Sequence, residues 1–168
     1  RQLRSCEIFI PILTTNFNLS EWTDQETGFA LCREIPIIPL SLGEIPHGFI
    51  NKYQACPVNL NNDSDFRDRM VEILSKNPTT RKEFLNLLIS EFGNSSTFDG
   101  AGRSMGWLFK CKTYLTEEQK VRILELATSN PQIHYSRSAR RNLNVFIDEL
   151  RSKLNPSTVK DLEEKMSQ

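Results

Sequence analysis

Apolar and polar positions follow two rhythms along this chain. In the first third, short apolar runs are divided by prolines. Ile8-Phe9-Ile10-Pro11-Ile12-Leu13 ends in Thr14-Thr15-Asn16, and Ile35-Pro36-Ile37-Ile38-Pro39-Leu40 follows after an amphipathic interval. Such runs suit strands buried on both faces, as in a parallel sheet. Pro11 has no N–H, so the ladder beside the first run is expected to be incomplete. Between the runs, Ser20 is placed to cap a helix that opens with Glu21-Trp22-Thr23-Asp24, acids in its first turn. That helix is predicted to reach about Arg33, with Trp22, Glu26, Phe29, Ala30 and Arg33 on one face. Strand, crossover helix and strand make a right-handed β-α-β unit. Residues 55–60 suggest a short last strand.

Beyond residue 64 the apolar positions recur at helical spacing. Asp65 to about Lys76 carries Phe66, Met70, Ile73 and Leu74 on one stripe, stopped at Asn77-Pro78. Thr80-Arg81-Lys82-Glu83 reads as a capping box for the next helix, to about Phe92, with Gly93 suited to the C′ position. A third helix over 98–112 is weakened by Gly100, Gly102 and Gly106. Thr116-Glu117-Glu118-Gln119 is a second capping box, opening a helix that Asn130-Pro131 ends. Residues 136–154 are strongly amphipathic, and Asn155-Pro156 starts a final helix with Pro at N1. The expected helical core includes Leu87, Leu88, Leu124, Phe146 and Ile147.

Charge divides the chain at the same place. Residues 1–64 hold four Lys/Arg, seven Asp/Glu and five of the eight prolines, a net charge of −3, and the remainder carries +3. The pattern predicts two domains, residues 1–77 and 78–168, the first α/β and the second all-α. The whole chain of 168 residues is formally neutral, which argues against a broad nucleic-acid footprint. No apolar run is long enough to span a membrane. Cys6, Cys32, Cys56 and Cys111 form no C-x-x-C pair and are expected as reduced, buried thiols in a cytoplasmic protein. With only His47 and His134 beside them, no metal site is expected. The sequence opens on Arg1 rather than Met, as a fragment or processed chain would.

Two further features have local readings. Asp99-Gly100-Ala101-Gly102-Arg103 has a phosphate-loop look but lacks a preceding strand and the G-K signature. Arg137, Arg140 and Arg141 crowd a helix start, where cations oppose the helix dipole, and mark either an ion-paired face or an anion or partner surface.

The first part resembles the C-terminal portion of a TIR (Toll/interleukin-1 receptor) domain. The resemblance rests on Phe9 to Asn16, Phe17 to Ser20, the Trp22-x-x-x-Glu26 helix, Gly28-Phe29-Ala30-Leu31 and Ile35-Pro36-Ile37-Ile38-Pro39. It extends over Ile45-Pro46 to Val58 and the helix from Asp65, so it covers about residues 6–76. It implies a flavodoxin-like arrangement of parallel strands with crossover helices. A whole domain of that family begins with two further strands and their helices, which this sequence does not contain.

In NAD-hydrolysing members of that family the glutamate of Trp-x-x-x-Glu is catalytic, and the resemblance gives that role to Glu26. Trp22 and Ser20 become candidate substrate-binding residues, with Trp22 also readable as packing and Ser20 as an N-cap. The chemistry suits a carboxylate. Breaking the bond from ribose to nicotinamide builds positive charge on the sugar, and the leaving group departs as a neutral pyridine. The implied activity is NAD+ glycohydrolysis in a bacterial-type defence or signalling protein, with NAD+ as substrate, no cofactor, and self-association through the TIR portion. The alternative is a non-catalytic TIR interaction module whose helical part senses a partner or ligand.

Overall fold

The structure, a computed structural model, describes residues 2–17 and 20–167. Asn18 and Leu19 lie outside the described residues, as does the side chain of Glu21.

Three short strands, β1 (Ile12–Leu13), β2 (Leu40–Ser41) and β3 (Cys56–Pro57), form a sheet in chain order with every pairing parallel. Ile12 stands opposite Leu40, and Leu40 opposite Cys56. Helix α1 (Glu21–Cys32) connects β1 to β2, and one turn of 3-10 helix, Gly48–Ile50, lies between β2 and β3. Among the described residues seven α-helices follow: α2 (Asp63–Lys76), α3 (Pro78–Gly93), α4 (Phe98–Lys110), α5 (Glu117–Ser129), α6 (Pro131–His134), α7 (Arg137–Leu150) and α8 (Pro156–Ser167). The chain is thus α/β and then all-α. It divides into compact units of residues 1–69 and 70–168, a division that falls inside α2 and not at the Asn77-Pro78 break. None of the helices, among the described residues, is long and apolar enough to cross a membrane.

Proline makes the strands shorter than their apolar runs. Phe9 donates its N–H to the Pro36 carbonyl and accepts from Ile38, both at 2.9 Å, and Phe9 bridges Ile37. Pro11 accepts from Leu40 at 2.9 Å but has no N–H to return. The lost rung separates the Phe9–Ile37 bridge from β1. Across the sheet, Cys56 and Val58 donate to Pro39 and Ser41. Alternation therefore directs the Pro57 nitrogen away from β2, on the edge, where the missing donor removes no rung.

The core of the first unit joins Leu13, Ala30, Ile37 and Ile50, with Phe9, Phe17, Leu31, Ile35, Tyr53 and Ala55 packed around them. Helix α1 therefore meets the sheet through Ala30 and Leu31. It ends in a Schellman motif: Glu34 donates to the Leu31 carbonyl at 3.1 Å and Ile35 to the Ala30 carbonyl at 3.3 Å. Glu34 holds φ +57 there, the left-handed conformation that glycine adopts without steric cost.

In the second unit the helix starts follow asparagine as much as threonine. Thr116 and Gln119 form the expected capping box of α5. The Thr80 box does not form. Helix α3 starts earlier, at Pro78, and the Asn77 side chain accepts from the Thr79 N–H at 2.9 Å. Thr80 is buried inside the helix and donates its hydroxyl to the Leu74 carbonyl. Pro at N1 gives up a donor the first turn leaves unpaired anyway, so Asn77-Pro78 both stops α2 and starts α3. Asn130-Pro131 repeats the device for the short α6. The Asp99–Arg103 stretch lies within α4 and is not a loop.

One core runs through this unit, including Leu88, Phe92, Met105, Leu108, Ile123, Leu124, Leu143, Phe146 and Ile147. Leu87, expected in it, is 69% exposed, because Leu85, Leu88, Ile89 and Phe92 already set the buried face of α3. Gly93 is the last residue of α3 and not its C′ residue. A methyl group there would lie 2.8 Å from the Leu126 side chain, so the glycine admits α5. Gly102 does the same for α7: an added Cβ would lie 1.9 Å from Ser138 Oγ and 2.9 Å from Ser138 Cβ. Gly106, one turn on, has nothing within 4 Å.

These two glycines predict opposite outcomes. Gly102→Ala should destabilise the protein by about 1–3 kcal/mol through overpacking. Gly106→Ala should stabilise it by about 0.5–1 kcal/mol through helix propensity. Urea denaturation of the two variants measures both. In the first unit, Glu34→Gly should add about 1 kcal/mol by relieving the left-handed backbone, read as a raised urea midpoint.

Candidate functional site

The loop from the carboxyl end of β1 leads into α1, so Ser20, Trp22 and Glu26 follow that end of the sheet, where open α/β folds bind ligands. Ser20 holds the N-cap position with extended backbone, φ −107 and ψ 112, but its side chain makes no capping bond. The hydroxyl of Thr23 instead ties the turn, donating to the carbonyls of Phe17 at 2.8 Å and Ser20 at 2.6 Å.

Helix α1 does not bury the face that carries Trp22 and Glu26. Its buried side is carried by two small residues, Thr27 at 2% and Ala30 at 0% exposure. Trp22 is 74% exposed, and Glu26, Phe29 and Arg33 are exposed as well. Of the five residues expected to share a face, only Ala30 turns to the core. Small side chains let the helix axis approach the sheet, with Leu31 packed beside them and Trp22 and Phe29 left outside. Arg33 closes the stripe: its guanidinium lies 6.0 Å from the Phe29 ring centroid and donates to the carbonyls of Leu3 and Cys6, the latter at 3.1 Å.

Trp22 and Glu26 are therefore one helical turn apart on an accessible surface. That arrangement offers a flat aromatic face and a carboxylate that is free to meet a ligand. Beside β2 and β3 lies an open cleft of about 420 Å³, lined by Ser41, Glu44, Asn51, Tyr53, Gln54 and Pro57 among others. Neither Trp22 nor Glu26 lines it. The strand-end rule that singled out the loop after β1 applies equally to the connection that leaves β2, which carries Glu44 and Asn51. Asp24 of α1 faces the Gly48–Ile50 turn: a Cβ on Gly48 would lie 4.0 Å from its carboxylate.

The four cysteines are free thiols with different surroundings. Cys111 is buried, and burial pushes its thiol up from the ordinary value. Cys32, expected to be buried, is exposed, because it is the last residue of α1 and lies off its sheet-facing side. Among the described residues no group of three or more His, Cys, Asp or Glu is arranged to hold a metal ion.

The exposure of Trp22 has a direct consequence for stability. Trp22→Ala should change unfolding free energy by no more than about 0.5 kcal/mol, as for other exposed positions. A loss of several kcal/mol in thermal or urea unfolding would instead show that the indole packs in the folded protein.

No family model, no curated protein and no solved structure matches this chain.

Proposed function

We propose that the first unit is the Glu26-bearing part of a TIR-type NAD+ glycohydrolase. The supporting observation is the pairing of Trp22 and Glu26 one turn apart on the open side of a helix that follows the carboxyl end of a parallel strand. On this reading the C1′–N bond of NAD+ breaks and its electron pair leaves with nicotinamide. Positive charge spreads over C1′ and the ring oxygen of the ribose. The Glu26 carboxylate stabilises that charge, and water adds at C1′ with loss of a proton. The pyridine leaves neutral, so no general acid is needed. Trp22 supplies a stacking surface, and Ser20 a hydroxyl that no capping bond engages. NAD+ is the substrate, no separate cofactor takes part, and copies self-associate through this unit.

A second reading has its own support. Trp22 and Phe29 form an exposed aromatic stripe on α1, a surface suited to a protein partner. A TIR-type module that recruits partners without catalysis would use that stripe, with the helical unit sensing a partner or ligand.

Glu26→Gln separates the two. It removes the charge while keeping size, and should change stability by only a few tenths of a kcal/mol. In the assembled full-length protein it should reduce nicotinamide release from NAD+ by roughly 10²-fold or more, the effect of losing one preorganised electrostatic group. Thermal unfolding of both proteins is the control. Undiminished turnover in a folded variant takes Glu26 out of the mechanism, and a wild-type protein inert under every activating condition favours the recruitment module.

A further inference from the structure

Three arginines lie in the first turns of α7, and the structure treats them differently. Arg140 is committed: its Nε donates to the His134 carbonyl at 2.7 Å. Arg137 and Arg141 are exposed, and their side chains make no hydrogen bond or ion pair among the described residues. They stand one turn apart on the same side of the helix. Together with Ser138, Asn142, Val145 and, from α4, Phe109, they line an open cleft of about 510 Å³.

The chemistry of that lining is one-sided. Two guanidinium groups and the Asn142 amide supply donors, and no carboxylate lines the cleft. The Ser138 hydroxyl is turned to Ser136, whose own hydrogen goes to Phe98, so it donates there at 3.2 Å. The first turn of α7 contains no acid either, and the hydroxyl of Ser136 is drawn away to the Phe98 carbonyl at 2.8 Å instead of capping the helix. Neighbouring cations are answered: Lys112 and Lys120 share the Glu149 carboxylate at 3.7 and 2.6 Å. The hydrogen bond from Lys120 is the chief reason that carboxyl is held below its ordinary range. Arg137 and Arg141 have no such partner. Like charges at i and i+4, at the positive end of a helix dipole, work against the fold they sit in.

We propose that this cleft binds a small phosphate-bearing ligand, the phosphate held by Arg137 and Arg141 and the organic part resting on Phe109 and Val145. Paired guanidinium forks match the oxygens of a phosphate dianion. The cleft falls in the size range of small-molecule sites, roughly 300–1,000 Å³. Two arginines in one cleft, on a chain with no net charge, fit a compact anion better than a nucleic-acid backbone. The site lies wholly in the second unit and does not depend on the role of Glu26.

ADP, with adenosine as the uncharged comparison, tests this on the full chain by calorimetric titration and thermal shift. ADP should bind and raise the unfolding temperature, adenosine should not, and salt should weaken the binding. Arg137→Gln and Arg141→Gln should each weaken ADP binding by about tenfold or more. Without ligand, both variants should unfold at the wild-type temperature or above it, because each removes an unfavourable charge. A merely structural arginine would instead lower that temperature when replaced. Absence of ADP binding, equal ADP binding by wild type and both variants, or an oligonucleotide that binds through the arginines when ADP does not, would overturn the proposal.

Discussion

Parallel pairing of residues 9–13 with residues 37–41 is the constraint from which the first unit follows. Parallel neighbours cannot be joined by a tight turn, so the chain must cross over, and α1 is that crossover. The register, Ile12 opposite Leu40, fixes where α1 begins and ends. Its length is then set by the Schellman turn at Glu34, which returns the chain to the sheet at Ile35. Placing Trp22 and Glu26 is a by-product of these backbone demands. The small residues Thr27 and Ala30 decide which side of the helix goes down, and Trp22 and Phe29 are displayed as a result.

The second unit depends on close approach instead of pairing. Gly93 lets Leu126 of α5 lie against α3, and Gly102 lets Ser138 of α7 lie against α4. Bringing two helices that near fills the core without long side chains at the crossing. It also holds the start of α7 beside α4, so that Arg137 and Arg141 share a cleft with Phe109. The glycines that weaken α4 as an isolated helix thus include one that its packing requires.

Much of this was legible in the sequence, and the failures have local causes. The parallel β-α-β unit, the lost rung at Pro11 and the Thr116 box each depend on nearest neighbours in the chain, which a sequence displays directly. The Thr80 box failed because two start signals lay three residues apart, and Asn77 with Pro78 left fewer donors unpaired than Thr80 with Glu83 would have. Leu87 and the packing reading of Trp22 failed for another reason. Helical spacing says which residues share a side, but not which of two apolar sides meets the core. In α1 that choice went to the small residues, and hydrophobicity alone points the other way. The cleft near Glu44 and Asn51 is assembled by the return of the chain from β2 to β3, and no single motif announces it.

The proposed chemistry and the exposed stripe on α1 bear on one another physically. A carboxylate 4 Å from a developing cation gains about 1 kcal/mol in water, but about 4 kcal/mol where the effective dielectric falls to about 20. Glu26, exposed in this unit, sits nearer the first regime. For it to stabilise a ribosyl cation strongly, something must cover the outer side of α1 and exclude water. The residues flanking Glu26 on that side, Trp22 and Phe29, are aromatic and accessible, so burying them would favour the same contact that desolvates the carboxylate. Self-association and catalysis on the proposed reading therefore draw on one surface. An assembly formed through α1 would raise the electrostatic strength of Glu26 without moving it.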